Sequence, residues 1–263
     1  MIMPRIHLFE FMDQSWYPET FRRMQADYLQ FVASRGDGYQ EILPKIQTAL
    51  KQAHTSRIID LCSGSSGPWV IVQPKLAEAG TDVRVTLTDK FPHPVTVTQW
   101  SADKDASIEY WPDPVDALAV PKELSGMRTL FEGFHHFKPE QALEILRDAV
   151  DQNAPIGIFE ASLKPPWGPL ILILSPVLTI LAYLLITPLI KPRNLSRFIW
   201  TYLIPIVPLT TCWDGVVSLL RVYSPDELNH LIGQLPENNY TWEVGLASTK
   251  TPFTYTYLVG YPA

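Results

Sequence analysis

The chain has 263 residues and a net charge of −6 at pH 7, with 18% charged and 46% hydrophobic residues. This length is typical of one large domain, or of one domain with a sizeable insertion. The acidic balance argues against a nucleic-acid partner, which binds a basic face. Cys62 and Cys212 form neither a disulfide framework nor a zinc spacing, so we expect a reducing compartment and no metal site. The N-terminus MIMPRIHLFEFMDQ lacks the features of a signal peptide.

Helices and short apolar runs alternate along the chain. Hydrophobic spacing predicts helices over residues 18–33 and 41–53. Five runs then have the apolar content of buried parallel strands: RIIDLC (57–62), VRVTLTD (83–89), SIEYW (107–111), MRTLFEG (127–133) and PIGIFEA (155–161). A helix with Pro139 at its first position separates the last two runs. Ser224, Pro225 and Glu227 form the capping box of a later helix, and residues 241–248 and 251–262 alternate like an antiparallel pair.

This alternation predicts an α/β protein: a Rossmann-like, seven-stranded sheet with helices on both faces, an N-terminal helical lid and an apolar helical cap inserted after the fifth strand. The predicted units are a lid (1–56), a cofactor-binding core (57–161), an apolar insertion (162–223) and a closing helix with its strand pair (224–263). Ligands of such sheets bind beyond the carboxyl ends of the strands, where the strand order reverses. Four acidic residues fall at or near such ends: Asp60, Asp89, Glu132 and Glu160.

The stretch IIDLCSGSSGPW (58–69) runs from a strand into a glycine turn and towards a helix. Glycine permits positive φ and lets a ligand approach the backbone. Gly64 and Gly67 lie only three residues apart, which does not match the G-x-G-x-x-G spacing of dinucleotide sites. A cofactor without phosphate fits better, with its ribose held by an acid. Asp89, 22 residues beyond Gly67, ends the second predicted strand and can accept both ribose hydroxyl protons.

The ordered set IIDLCSGSSG, VTLTD, PVDALAVP and TLFEGFHHF resembles the class I S-adenosylmethionine-dependent methyltransferases that act on small molecules. The chain departs from the pattern in one place, because it has G-S-S-G where many relatives have G-x-G. The resemblance implies S-adenosyl-L-methionine as cofactor, with Asp89 on the ribose, Lys90 or Phe91 beside the adenine and Asp116 on the adenine amino group. The cofactor-binding residues that it implies are Asp60, Ser63, Gly64, Gly67, Asp89, Lys90, Phe91, Asp116, Ala117 and Gly133.

The catalytic candidates follow the fourth predicted strand. His135, His136 or Glu132 could take a proton from the methyl acceptor, and the histidine pair could equally pack against the next helix. The substrate-binding candidates are Trp16, Tyr17, Asp214 and Arg221. The N-terminal aromatic residues form either a lid or a core plug. Asp214 and Arg221 share a helix face seven residues apart, and they face a substrate or form an internal salt bridge.

The insertion at 162–223 is rich in leucine, isoleucine, proline and tryptophan, which favours a lipophilic or aromatic small-molecule acceptor, methylated on O or N. Residues 170–190 carry no charge and are long enough to cross a bilayer. However, the strands on either side of the insertion belong to one sheet. We therefore expect helices broken near Pro176 and Pro188, forming an apolar cap rather than a spanning hairpin.

The partner surfaces and the cellular location follow from this insertion. An apolar cap of this size favours peripheral contact with the inner face of a membrane, or a homodimer through the insertion, in a cytoplasmic protein. Two alternative functions stay open: a membrane-associated protein that uses the methyltransferase-like unit only as a scaffold, and a nicotinamide-dependent oxidoreductase.

Overall fold

The computed structural model describes residues 5–33, 35, 38–92, 97–98, 100, 107–163, 168–237, 239–249 and 253–263. The strands that it places are β1 (Arg57–Leu61), β2 (Arg84–Leu87), β3 (Ile108–Tyr110), β4 (Met127–Phe131), β5 (Ile156–Leu163), β6 (Tyr240–Ser248) and β7 (Phe253–Pro262). They form one sheet in the order β3-β2-β1-β4-β5-β7-β6. The predicted α/β fold with seven strands is confirmed.

The α-helices whose bounds the structure describes are α1 (Glu19–Ala33), α2 (Leu43–Gln52), α3 (Trp69–Glu78), α4 (Pro139–Asp151), α5 (Gly168–Ile186), α6 (Leu195–Phe198), α7 (Ile206–Arg221) and α8 (Pro225–Ile232). A π-helical turn, Ile199–Leu203, follows α6. A 3₁₀ turn, Phe134–His136, follows β4. The capping box at the start of α8 is present, since the Ser224 hydroxyl accepts from the Glu227 amide.

Strands β1 to β5 are parallel, and β7 pairs antiparallel with both β5 and β6. The chain runs outward from β1 to β3 on one side of the sheet and then returns to β4, which pairs with the other side of β1. The strand order therefore reverses between β1 and β4. The carboxyl ends of these two strands are where a ligand of such a sheet is expected.

Side chains that alternate along the strands build a core on each face of the sheet. Ile58 of β1 packs in one core with α2 and α3, and its neighbour Ile59 packs in the other with α4 and α8. A third apolar cluster joins α1 to the insertion, through Met24, Tyr28, Tyr183, Ile190 and Val207. The helices of the predicted N-terminal lid (1–56) thus lie in two places, because α2 packs on the sheet and α1 packs on the insertion.

The insertion folds as an antiparallel pair of helices, α5 and α7, although residues 164–167 lie outside the described residues. The expected break near Pro176 is wrong, because α5 continues through it. Proline removes the amide that would bond to the Leu172 carbonyl, and the Ser175 hydroxyl donates to that carbonyl instead, at 2.9 Å. Near Pro188 the chain does leave the α-helix, in a short 3₁₀ turn.

Candidate functional site

The loop after β1 is organised around the carboxylate of Asp60. This side chain is 1% exposed, and it accepts hydrogen bonds from the hydroxyls of Ser63 (2.6 Å) and Thr129 (2.7 Å). Burial raises the pKa of Asp60 to about 6, because these hydrogen bonds offset only part of the cost of desolvating the charge. These hydrogen bonds connect the loop after β1 to β4 through the buried Asp60 carboxylate.

Two glycines give this loop its path. Gly64 and Gly67 have φ of +55° and +52°, in the left-handed region that glycine tolerates best. A Cβ at Gly67 would lie 3.4 Å from the Asp60 Oδ2, so that residue is packed against the carboxylate. A Cβ at Gly64 would meet no described atom within 4 Å, so this backbone faces open space in which a ligand could approach it.

Backbone strain marks the ends of both central strands. Cys62, directly after β1, has φ of +59°, and Glu132, directly after β4, has φ of +53°. Non-glycine residues in this region cost free energy and tend to occur at functional sites. Both strained positions lie where the strand order reverses.

The acid after β2 faces the same loop. Asp89 Oδ2 accepts from the Gly64 amide at 2.9 Å, and Oδ1 accepts from the Phe91 amide at 2.8 Å. The Lys90 ammonium lies 2.7 Å from Asp116 Oδ2, and this hydrogen bond, against the effect of burial, lowers the pKa of Asp116. The predicted ribose and adenine residues are thus neighbours, and the Phe91 ring is exposed.

The remaining predicted cofactor residues pack beside these. Ala117 is buried. A Cβ at Gly133 would lie 3.1 Å from the Cys62 Cβ, so the loops after β1 and β4 touch at this glycine. Tyr110, at the end of β3, donates from its hydroxyl to the Gly64 carbonyl at 2.9 Å.

The histidine pair lies in the 3₁₀ turn after β4. His135 is buried, and its Nδ1 lies 2.5 Å from Glu160 Oε2 of β5. The other oxygen of Glu160 accepts from the Phe134 amide at 2.6 Å. His135 Nε2 has no hydrogen-bond partner among the described residues, and its nearest carboxylate oxygen, on Glu10, is 3.8 Å away. A carboxylate thus orients one ring nitrogen and leaves the other available.

His136 has a different environment. Its Nδ1 lies 2.8 Å from Asp13 Oδ1 and 3.6 Å from Glu10 Oε2. Burial alone would lower the pKa of His136, but the carboxylates of Asp13 and Glu10 beside the ring outweigh it and raise the pKa to about 9. His136 is therefore an imidazolium at neutral pH, engaged in an ion pair.

Glu132 is the third predicted catalytic residue. Both of its oxygens accept from the Ala161 amide, at 3.0 and 2.9 Å. Burial, together with the charge of Glu160, raises the pKa of Glu132 to about 8. It is mostly protonated at neutral pH and is a poor proton acceptor there.

Three of the four predicted substrate residues, Tyr17, Asp214 and Arg221, fall in the contact between the N-terminal segment and α7. Asp214 Oδ1 accepts from the Phe11 amide at 2.7 Å. Arg221 pairs with Asp13 at 2.7 Å and with Glu10 at 3.0 Å. Each therefore binds the N-terminal segment, and the alternative of a salt bridge between Asp214 and Arg221 is not found among the described residues.

Some aromatic residues of the N-terminal segment are buried in the core, and others are exposed. Tyr17 is buried and its hydroxyl lies 2.7 Å from the Thr210 hydroxyl, whereas Trp16 is 65% exposed. Phe9 and Phe11 line a cavity of about 370 Å³ together with Leu209, Thr210 and Trp213 of α7. A second cavity, of about 780 Å³, lies at the amino ends of the strands and is lined by none of the predicted site residues.

Sequence reasoning gave no role to Glu10, Asp13, Thr129 or Tyr110. Glu10 and Asp13 stand among apolar residues in LFEFMD, and acids in such surroundings are a signal of a buried ion pair. Thr129 and Tyr110 gave no such signal, since strands of any function contain these residue types.

The buried acid of the glycine loop predicts a pH-dependent stability. The pKa of Asp60 rises from about 3.8 to about 6 on folding, so the native state holds its proton more tightly. The free energy of unfolding therefore falls as the pH rises from about 4 to about 6, by about 2–3 kcal/mol from this group. Asp60→Asn removes this titrating group. In denaturant melts, the free energy of unfolding of the variant relative to that of wild type should therefore rise by about 2–3 kcal/mol between pH 4 and pH 7. A pH-independent difference would contradict the assignment.

No family model matches the sequence, and no curated protein matches it. Several solved structures resemble the chain in fold. LepI in complex with SAH and a substrate analogue has a TM-score of 0.44 at 14% identity, covering 79% of this chain and 43% of its own. TnmH has a TM-score of 0.49 at 15% identity, covering 88% and 56%. Magnesium protoporphyrin IX methyltransferase (ChlM) from Synechocystis PCC 6803, with bound SAH, has a TM-score of 0.48 at 12% identity, covering 90% and 94%.

The chain spans about half of the length of LepI and TnmH. All three TM-scores are below 0.5 and all three identities are below 25%. The description of the fold therefore rests on the strand order and the register of this chain's own sheet.

Proposed function

We propose that this chain is an S-adenosylmethionine-dependent methyltransferase that acts on a lipophilic or aromatic small molecule. The observation that carries the proposal is the glycine loop at the reversal of strand order. There Gly64 has positive φ and faces open space, next to the Asp89 carboxylate and between two strained strand ends. The resemblance of the four sequence motifs to this family points to the same cofactor.

The chemistry of the residues present suits the cofactor. In the proposed site the cradle after β1 would consist of Asp60, Ser63, Gly64 and Gly67. Gly133 would close it from β4, and Asp89 would offer a carboxylate to the ribose. Lys90, Phe91, Asp116 and Ala117 are assigned to the adenine side. When bound, S-adenosylmethionine supplies an electrophilic methyl group on a sulfonium.

The protein's own part in the transfer is to orient the acceptor, exclude water and remove a proton. Of the three predicted bases, His136 is held as an imidazolium and Glu132 is mostly protonated at neutral pH. We therefore assign the proton transfer to His135 Nε2, with Glu160 fixing the ring through Nδ1. Because Glu10 lies over Nε2, the N-terminal segment must shift to admit an acceptor, which suits a lid.

Two glycines with the same conformation test the cofactor site. Gly64→Ala and Gly80→Ala each place a methyl group at positive φ in open space, so each should cost about 1–2 kcal/mol of stability. Only Gly64 faces the proposed cofactor, so only Gly64→Ala should weaken binding of S-adenosylhomocysteine, by about tenfold or more through steric conflict. Titration calorimetry gives the affinities.

Thermal melting of the wild-type protein separates the alternatives. A rise in Tm with S-adenosylhomocysteine and not with NAD fits the proposal, since a ligand that binds only the native state stabilises it. A rise in Tm with NAD alone would favour an oxidoreductase, and no rise with either ligand would favour a scaffold.

If the Gly64→Ala and Gly80→Ala variants bind S-adenosylhomocysteine with equal affinity, the glycine loop is not part of the cofactor site.

A further inference from the structure

The insertion exposes many large apolar side chains, and we call this set of residues the apolar face. On α5 its exposed members Leu174, Leu178, Leu181 and Leu185 recur at the spacing of one helical face. On α7, Ile206, Leu209 and Trp213 do the same. Further exposed residues on this part of the chain are Leu170, Ile173, Val177, Leu189, Leu195, Leu203 and Ile204. A soluble monomer rarely exposes so many large apolar side chains on one segment, so this segment marks an interaction site.

The helix α5 is not a core helix of a soluble domain. With the turn that follows, it is the one described helix long and apolar enough to cross a membrane, and only 11% of its most apolar window is buried. The helices Leu195–Leu203 and Ile206–Arg221 would qualify only as a pair, and that pair is bent by 72°.

Contacts on the other side of the insertion argue against a crossing. Tyr183 of α5 is fully buried; it stacks on Tyr28 of α1 at 4.5 Å, and its hydroxyl donates to the Met24 carbonyl. In α7, the side chains of Asp214 and Arg221 bind the N-terminal segment. A spanning hairpin would have to withdraw these contacts from the domain, whereas a hairpin lying in the membrane plane keeps them.

The charge distribution identifies the kind of membrane. Residues 164–213 contain four basic residues and no acidic residue, although the whole chain has a net charge of −6. One of the four, Arg197, is buried and paired with Asp27. Lys191 and Arg193 are exposed in the turn after α5, where they can meet anionic headgroups. Exposed Trp16 and Tyr202 are of the types enriched at the membrane–water interface.

We propose that the apolar face docks in the plane of an anionic membrane surface, the cytoplasmic leaflet, without crossing it. The cavity lined by Phe9, Phe11, Leu209, Thr210 and Trp213 is formed partly by α7 residues of this face. An acceptor dissolved in the lipid would enter through this cavity, and that consequence rests on the proposed function. The docking of the protein on the membrane does not depend on methyl transfer.

Co-sedimentation of the purified full chain with lipid vesicles tests the proposal. The wild-type protein should bind vesicles of phosphatidylcholine and phosphatidylglycerol. Leu178→Glu/Leu185→Glu should bind at least about 50-fold more weakly, because two exposed leucines no longer enter the lipid. Lys191→Ala/Arg193→Ala should lose about tenfold on anionic vesicles and nothing on pure phosphatidylcholine. Leu246→Glu replaces a comparably exposed leucine on β6 and serves as the matched control.

The docking proposal would be overturned if the folded wild-type protein does not bind vesicles, or if the leucine variant binds as well as the control. A dimer in solution that the leucine variant dissociates would show that the apolar face is a subunit interface instead. Release from membranes only in detergent, with the Lys191–Arg193 turn protected from protease on the far side, would show that the insertion crosses the membrane. Melting of S-adenosylhomocysteine complexes is independent of vesicles, so a failure of docking and a failure of the proposed function are distinguishable.

Discussion

Replacement of His135 by alanine is expected to lower the rate of methyl transfer by about 10²–10⁴-fold, the range for loss of a general base. The affinity for S-adenosylhomocysteine should change little, because His135 contacts Glu160 and not the glycine loop. Transfer can be followed as labelled methyl that passes from S-adenosylmethionine into organic extracts of membranes, so the acceptor need not be identified first.

Two further variants separate a base from a structural residue. His230→Ala changes an exposed histidine of α8 and should leave the rate unchanged. Glu160→Gln keeps the size of the partner but removes its charge, so it should slow transfer less than His135→Ala does. If His135→Ala folds with wild-type stability and loses tenfold or less of the rate, the histidine pair is structural.

Replacement of Asp89 by alanine is expected to weaken binding of the cofactor by about 1.5–3 kcal/mol, or roughly 10–150-fold, the range for hydrogen bonds to a charged group. The same carboxylate accepts from the amides of Gly64 and Phe91, so part of the loss comes through the shape of the loop. Calorimetry with S-adenosylhomocysteine measures the total.

Asp89→Asn divides the two contributions. Its side-chain oxygen can still accept from the Gly64 amide, but it lacks the charge and the second acceptor, so its affinity should fall between wild type and alanine. Wild-type affinity in Asp89→Ala, with the fold intact, would remove Asp89 from the ribose site.

Most of the sheet could be predicted from the sequence, because strands buried on both faces are short apolar runs. The run 57–62 became Arg57–Leu61, and 155–161 became Ile156–Leu163. The acids near the strand ends were found for the same reason, since each lies at or near the carboxyl end of such a run. Pro176 misled the prediction, because the hydroxyl that replaces the missing backbone bond belongs to Ser175, and helix propensity does not register such a local side-chain bond.

The acceptor side could not be predicted in the same way. Asp214 and Arg221 contact residues more than 200 positions away, on the segment that carries Phe11 and Asp13. Periodicity reports which residues share a face of one helix, and it contains no information about which distant segment covers that face. The ion-pair partners of Glu10, His136 and Arg221, emerge only when the chain is folded.

The position of β7 has a consequence for how the chain is made. β5 pairs with β7 along eight residues, yet β7 is the last strand of this sheet to leave the ribosome. Until then β5 has an open edge, and the apolar helices between the two strands are already outside the tunnel. Unpaired edges and exposed apolar surface make nascent chains prone to aggregation. An early encounter with a chaperone or a lipid surface would shield those helices while β7 is being synthesised, and a stop codon before β7 would leave them permanently unprotected.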